Sequence, residues 1–288
     1  MMMRKYALVV LLASVAALLG LCISPKSCFG TNKRAPSFSV LQATSKRLSL
    51  PSIVWASKPW TGNDGLLINT RNQIDKQIAD RQDSQALLEQ YRSDAKANPR
   101  DPLKVFAWAY SARKALSPWM PYEDRVKTLT GVHQALLAAP FPNTYNYARI
   151  IFLIAEDDHR LVSVGERLLA RDSSDVEVKV RLASDYSSLI AVEGAYKNRL
   201  DVNAERRTVA LVDQLVQSDP QNPLYHSLKG LVYSGFYYTG KFTHPVDAQK
   251  SIAAYREYLR LAPQGAERSA KVEAVIKELQ GEMTKAAR

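Results

Sequence analysis

From about Leu66 to the C-terminus, apolar residues recur every three to four positions, and Pro, Gly, Asp and Asn fall between the periodic runs. That period places apolar side chains on one face of a helix. Strands need strict alternation, and no convincing alternation is present. The pattern predicts an all-α fold, with helices over roughly 68–97, 103–116, 121–138, 144–156, 159–171, 176–197, 204–218, 223–239, 246–261 and 266–280. Asp175 and Asn203 stand at two predicted helix starts, where a side-chain oxygen can accept from unpaired backbone N–H groups. Before Leu66 the pattern changes. Tyr6 to Ile23 is an apolar run of 18 residues behind the basic pair Arg4-Lys5, and residues 31–63 hold no lasting period and are rich in Ser, Thr, Pro, Lys and Arg.

The segments between the predicted helices repeat. Ala97-Asn98-Pro99-Arg100-Asp101-Pro102, Ala139-Pro140-Phe141-Pro142, Arg171-Asp172-Ser173-Ser174-Asp175, Ser218-Asp219-Pro220-Gln221-Asn222-Pro223 and Leu261-Ala262-Pro263 each follow an amphipathic run. Taking Pro99, Pro140, Ser173, Pro220 and Pro263 as landmarks, the spacings are 41, 33, 47 and 43 residues. Proline suits these places because it stops one helix and can open the next at its first turn. Gly230 and Tyr233 follow Asp219-Pro220, Ala183 and Tyr186 follow Asp172-Ser173, and Tyr91 and Tyr255 lie on the second helices of their pairs. In these features residues 84–280 resemble the tetratricopeptide repeat (TPR) family, in which paired antiparallel helices recur near every 34 residues. The resemblance implies an irregular TPR-like helix-turn-helix superhelix of about four repeats, with a small residue where one helix crosses its partner. It also implies an extended concave surface suited to binding other proteins. Tyr255 to Pro263, followed by a charged helix to Gln280, then reads as the last repeat and its solvating cap. The alternative architecture is a helical bundle without such a surface.

Composition and charge refine the address. The 288 residues are 46% hydrophobic and 23% charged, a balance that excludes a wholly disordered chain, and a single long apolar run excludes a polytopic membrane protein. The formal net charge of +11 invites a nucleic-acid reading, but eight basic residues and no acid lie in the first 63 positions. The remainder carries only +3, so no nucleic-acid partner is expected of the folded part. Residues 1–30 read as a signal peptide or an N-terminal membrane anchor, 31–63 as a basic flexible linker, and 64–288 as the TPR-like helical domain. Cleavage after Gly30, lipidation at Cys22 and retention of the whole segment are three fates, the second opposed by Leu21 before the cysteine. The expected location is exported or membrane-anchored: periplasm, cell envelope or secretory route. Trp55 and Trp60 either sit at a membrane interface or dock onto the first helix. Both cysteines, Cys22 and Cys28, belong to the leader, so thiol chemistry is excluded from the helical domain.

Candidate chemistry is sparse. His133, His159, His226 and His244 form no metal-binding spacing, and Asp157-Asp158-His159 reads as a capped helix junction. No phosphate loop, nucleophile elbow or dinucleotide fingerprint occurs, and no catalytic residue, metal or cofactor is proposed. The expectation is a non-enzymatic scaffold that binds partner proteins. A structural spacer tethered by its basic tail and an unrecognised enzyme are the alternatives. By the resemblance, Phe106, Tyr110 and Arg113 face the groove, where an Arg beside aromatics can receive a carboxylate. The same residues could instead hold their helix pair together. Phe236, Tyr237 and Tyr238 cluster beside Gly235 as either a recognition patch or a buried contact.

Overall fold

The computed structural model describes residues 59–80, 84–116, 122–155, 161–197, 202–238, 245–263 and 267–286. Among the described residues there are eleven α-helices and no strand. They are α1 (Gly65–Asp80), α2 (Ser84–Ala97), α3 (Pro102–Ala115), α4 (Tyr122–Ala138), α5 (Tyr145–Ile154) and α6 (Val162–Arg171). There follow α7 (Val176–Lys197), α8 (Val202–Ser218), α9 (Pro223–Tyr238), α10 (Pro245–Leu261) and α11 (Glu267–Ala286). The all-α expectation holds, and most boundaries fall within three residues of the periodic pattern.

One expected helix, 68–97, is two. Tyr91 in α2 donates its hydroxyl hydrogen to Gln77 Oε1 in α1 at 2.6 Å. On one straight helix, residues fourteen apart are separated by about 21 Å. The bond therefore requires the chain to double back between α1 and α2. The sequence there, Asp80-Arg81-Gln82-Asp83-Ser84, has neither Pro nor Gly to mark the reversal.

The chain divides into two compact units, the first holding α1–α5 and the second α6–α11. In the first, α3 touches α1, α2, α4 and α5. Its residues Val105 to Ala112 are buried without interruption, and eight of the ten residues of α5 are buried. A helix with only one apolar stripe could not show this, so α3 and α5 have neighbours on several sides. Phe106 stacks on Tyr110 and Tyr147 at 6.0 and 6.4 Å, and Phe141 meets Tyr147 edge-on at 5.5 Å. Burial pushes the Tyr147 hydroxyl far above its ordinary pKa, and that hydroxyl donates to the Leu136 carbonyl at 3.3 Å.

In the second unit each helix packs on the next, and α7 also touches α9. Three skipped contacts join odd-numbered helices within a unit: α1 with α3, α3 with α5, and α7 with α9. Even-numbered α6 and α8 instead bury single stripes, Val164, Gly165, Leu168 and Leu169 in one and Ala204, Thr208, Leu211, Val212 and Leu215 in the other. The first unit departs from an open stack, because α1 also reaches α5.

The tightest crossing lies between α9 and α10. A Cβ placed on Gly230 would stand 2.5 Å from Tyr255 Cδ1 and 2.6 Å from Cε1. Ser251 Oγ donates to the Gly230 carbonyl at 2.7 Å, inside the same crossing. Tyr255 and Tyr258 are fully buried with Val272, Val275, Ile276 and Leu279 of α11, which joins the last helix to this core. Gly→Ala inside a helix ordinarily stabilises by about 0.5–1 kcal/mol. Gly281, with nothing within 4 Å, is expected to follow that rule. Gly230→Ala is expected to reverse it and cost about 1–3 kcal/mol, since the methyl would overpack the Tyr255 ring. Urea denaturation of the two variants checks the opposite signs.

Candidate functional site

Side-chain oxygens at helix starts position the central helices. The first N–H groups of a helix have no partner within it. Asp101 Oδ1 accepts from Leu103 and Lys104 at the start of α3, at 2.9 and 3.4 Å. Asp175 Oδ1 accepts from Val178 in α7 at 3.1 Å, and Asn222 Oδ1 from Leu224 in α9 at 3.1 Å. Asn63 Oδ1 accepts from Gly65 in α1 at 2.8 Å. Before α3, α7 and α9 the turn also closes alike: Asp101 N–H donates to Asn98, Asp175 N–H to Asp172 and Asn222 N–H to Asp219. By contrast α6, entered at Leu161, has no side-chain cap. The expected cap at Asp175 is present. Asn203 is not a cap: it lies inside the first turn of α8, which begins one residue earlier at Val202.

The start of α5 is capped twice. Thr144 Oγ1 accepts from Tyr147 at 3.4 Å, and Asp64, 81 residues before Tyr145, accepts from Tyr145 and Asn146 at 3.1 Å each. The same segment adds further bonds. Gly62 N–H donates to the Asn143 carbonyl at 2.9 Å, and Asn143 Nδ2 donates to Thr61 Oγ1 at 3.0 Å. Asn143 has a φ of 52°, a left-handed conformation that Asn tolerates better than most residues. A Cβ on Gly62 would collide with the Pro142 carbonyl, so only glycine lets the strands of chain approach this closely. Trp60 meets Tyr145 edge-on at 5.8 Å. Trp60 therefore docks on α5, and residues 60–63 of the expected linker belong to this strap. Trp55 and the apolar run Tyr6–Ile23 lie outside the described residues. No helix among the described residues is long and apolar enough to cross a membrane.

Polar clusters bridge helices. Glu166 of α6 accepts bidentately from Arg207 of α8 at 2.7 and 2.9 Å, and from the Tyr186 hydroxyl of α7 at 2.8 Å. Burial pushes the Glu166 carboxyl up, but the bonds from Arg207 and Tyr186 outweigh this and hold it below the ordinary carboxylate range. In the first unit, Asp75 of α1 accepts from the Tyr110 hydroxyl at 2.9 Å and pairs with Lys114 at 3.1 Å. Burial, then the bond to Asp75, raises the Tyr110 pKa. Lys229 of α9 pairs with Asp213 of α8 at 2.7 Å. His226 Nε2 lies 2.8 Å from the Pro220 carbonyl; a carbonyl can only accept, so this nitrogen carries the hydrogen and steadies the turn into α9.

Two of the candidate binding residues are interior. Phe106 is 1% exposed and Tyr110 5%, so their rings serve the packing of α3 against its neighbours, and Arg113 is half-buried in the last turn of the same helix. Phe236, Tyr237 and Tyr238 lie in the last turn of α9, and their side chains are outside the described residues, as are His159 and His244. Sequence reasoning overlooked Asp64, Asp75 and Glu166, whose partners are remote in the chain. An open groove of about 640 Å³ runs between α10 and α11, with Ile252, Ala253 and Met283 beside Gln249, Arg256 and Gln280. No family model, curated protein or solved structure matches this chain.

The Glu166 cluster sets a pH dependence. Its folded pKa lies below the unfolded value of about 4.3, so its contribution is present above that pH and is lost as pH falls through the folded value. At pH 7 the wild type is expected to exceed Glu166→Gln by about 1 kcal/mol, and the gap to shrink below about pH 4. Urea titrations at pH 7 and pH 3 measure it.

Proposed function

We propose that this chain is a non-enzymatic scaffold built of TPR-like helix pairs, exported or membrane-anchored through residues 1–30, that binds partner proteins. The observation that supports this most is the wiring of the helices. Within the units α1 touches α3, α3 touches α5 and α7 touches α9, each across an intervening helix, and α3, α7 and α9 are entered through the same capped turn. Stacked helix pairs of this kind offer an extended surface for a partner. The interhelical polar groups add to the case: Glu166 with Tyr186 and Arg207, and Asp75 with Tyr110 and Lys114, are engaged in joining helices.

In-cell crosslinking and capture with the native-length chain tests the reading. One or a few proteins should be recovered saturably. Recovery should fall roughly tenfold when Phe236, Tyr237 and Tyr238 are all replaced by Ser, if these aromatics anchor the partner. Deleting residues 31–58, which spares the strap, should leave recovery intact. The opposite pattern, loss on the deletion and none on the triple substitution, would favour the spacer whose tail makes the contact. Absence of any saturable partner from a correctly localised chain would reject the scaffold.

A further inference from the structure

Among the described residues, the segment that precedes α1 is bonded to the entrance of α5, far along the chain. Helix α1 is lightly held: of its sixteen residues only Leu67 and Ile74 are buried, and Leu66 is 69% exposed. Its polar ties are Arg71 to Asn146 at 3.5 Å, Asp75 to Tyr110 and Lys114, and Gln77 to Tyr91 of α2 at 2.6 Å. Immediately before it, Thr61, Gly62 and Asp64 make four hydrogen bonds to the entrance of α5, and Trp60 adds its ring. Helix α5 is among the most buried elements of its unit.

We propose that residues 60–64 form a latch. While it is closed, a pull on the chain ahead of Trp60 is delivered to α5 and bypasses α1. When it opens, the strap and α1 detach as one segment while α2–α5 stay folded, and the departure of Asp75 uncovers the Tyr110 hydroxyl and frees Lys114 of α3 from its ion pair. The physical basis is that a terminal element frays unless something ties it down, and here the tie sits upstream of the element it protects. Opening is a local event because the bonds that break are confined to residues 60–80 and their contacts. The latch is independent of what the chain binds.

Amide hydrogen exchange of the full chain, read by mass spectrometry on peptides, tests this with Asp64→Ala. Loss of the two bonds to a charged acceptor should speed exchange roughly tenfold across residues 65–80. Peptides within 87–97 and 147–154 should keep their rates. Asp64→Asn, which retains an acceptor oxygen, should fall between. Should Asp64→Ala fail to fold, Thr61→Val removes one bond at an exposed position and should give the same pattern at smaller size. Uniform acceleration across 60–154, acceleration confined to Tyr145 and Asn146, or no acceleration would each overturn the latch.

Discussion

A helix begins with N–H groups that nothing inside it can satisfy, and the oxygens supplied to those groups set where the central helices of this protein start. Asn63, Asp101, Asp175 and Asn222 serve α1, α3, α7 and α9, while Thr144 and Asp64 share α5. The served helices include those that touch across a neighbour within a unit, α1 with α3, α3 with α5, and α7 with α9. The association has a reason. A helix packed on several sides has little freedom to find another start, so its first turn is best fixed by the chain itself. Each such cap contributes about 0.5–2 kcal/mol, a sizeable part of a domain's net stability of about 5–15 kcal/mol.

Packing then builds on those starts. With α3 fixed at Asp101, eight successive residues are buried, and Phe106 meets Tyr147 of α5 while Tyr110 reaches Asp75 of α1. With α9 fixed at Asn222, Gly230 arrives opposite Tyr255, and only a missing side chain lets the two helices close. Carboxylates complete the arrangement by joining helices that the apolar stripes alone would leave free to slide. Glu166 ties three helices and Asp75 two. Charge is thus spent within the helical part, while most of the excess positive charge of the chain, +8 of +11, belongs to its first 63 residues.

Local signals were legible in the sequence and remote ones were not. Helix ends at Asn98-Pro99 and Asp219-Pro220 were visible because proline and Asx residues act on their own neighbours. The reversal between α1 and α2 was invisible because Asp80 to Ser84 continues a polar helical pattern, and the tie that reveals it, Tyr91 to Gln77, exists only after folding. Phe106 and Tyr110 were read two ways because an aromatic face looks the same whether it meets a partner or a neighbouring helix. Burial decides for the neighbour. Asp64 stood out only as the first acid of the chain; the N–H groups that donate to it lie 81 and 82 residues away, beyond any local pattern.

The central claim is that one capped turn, used repeatedly, sets the buried helices. Equilibrium urea unfolding of Asp101→Ala, Asp175→Ala and Asn222→Ala tests it most directly. Each substitution removes a single side-chain acceptor at the start of α3, α7 or α9. The predicted result is a loss of about 1 kcal/mol in every one of the three, the ordinary worth of such a cap. If any of them unfolds within about 0.3 kcal/mol of the wild type, well under the range of a cap, the turns are not one device and the account is contradicted.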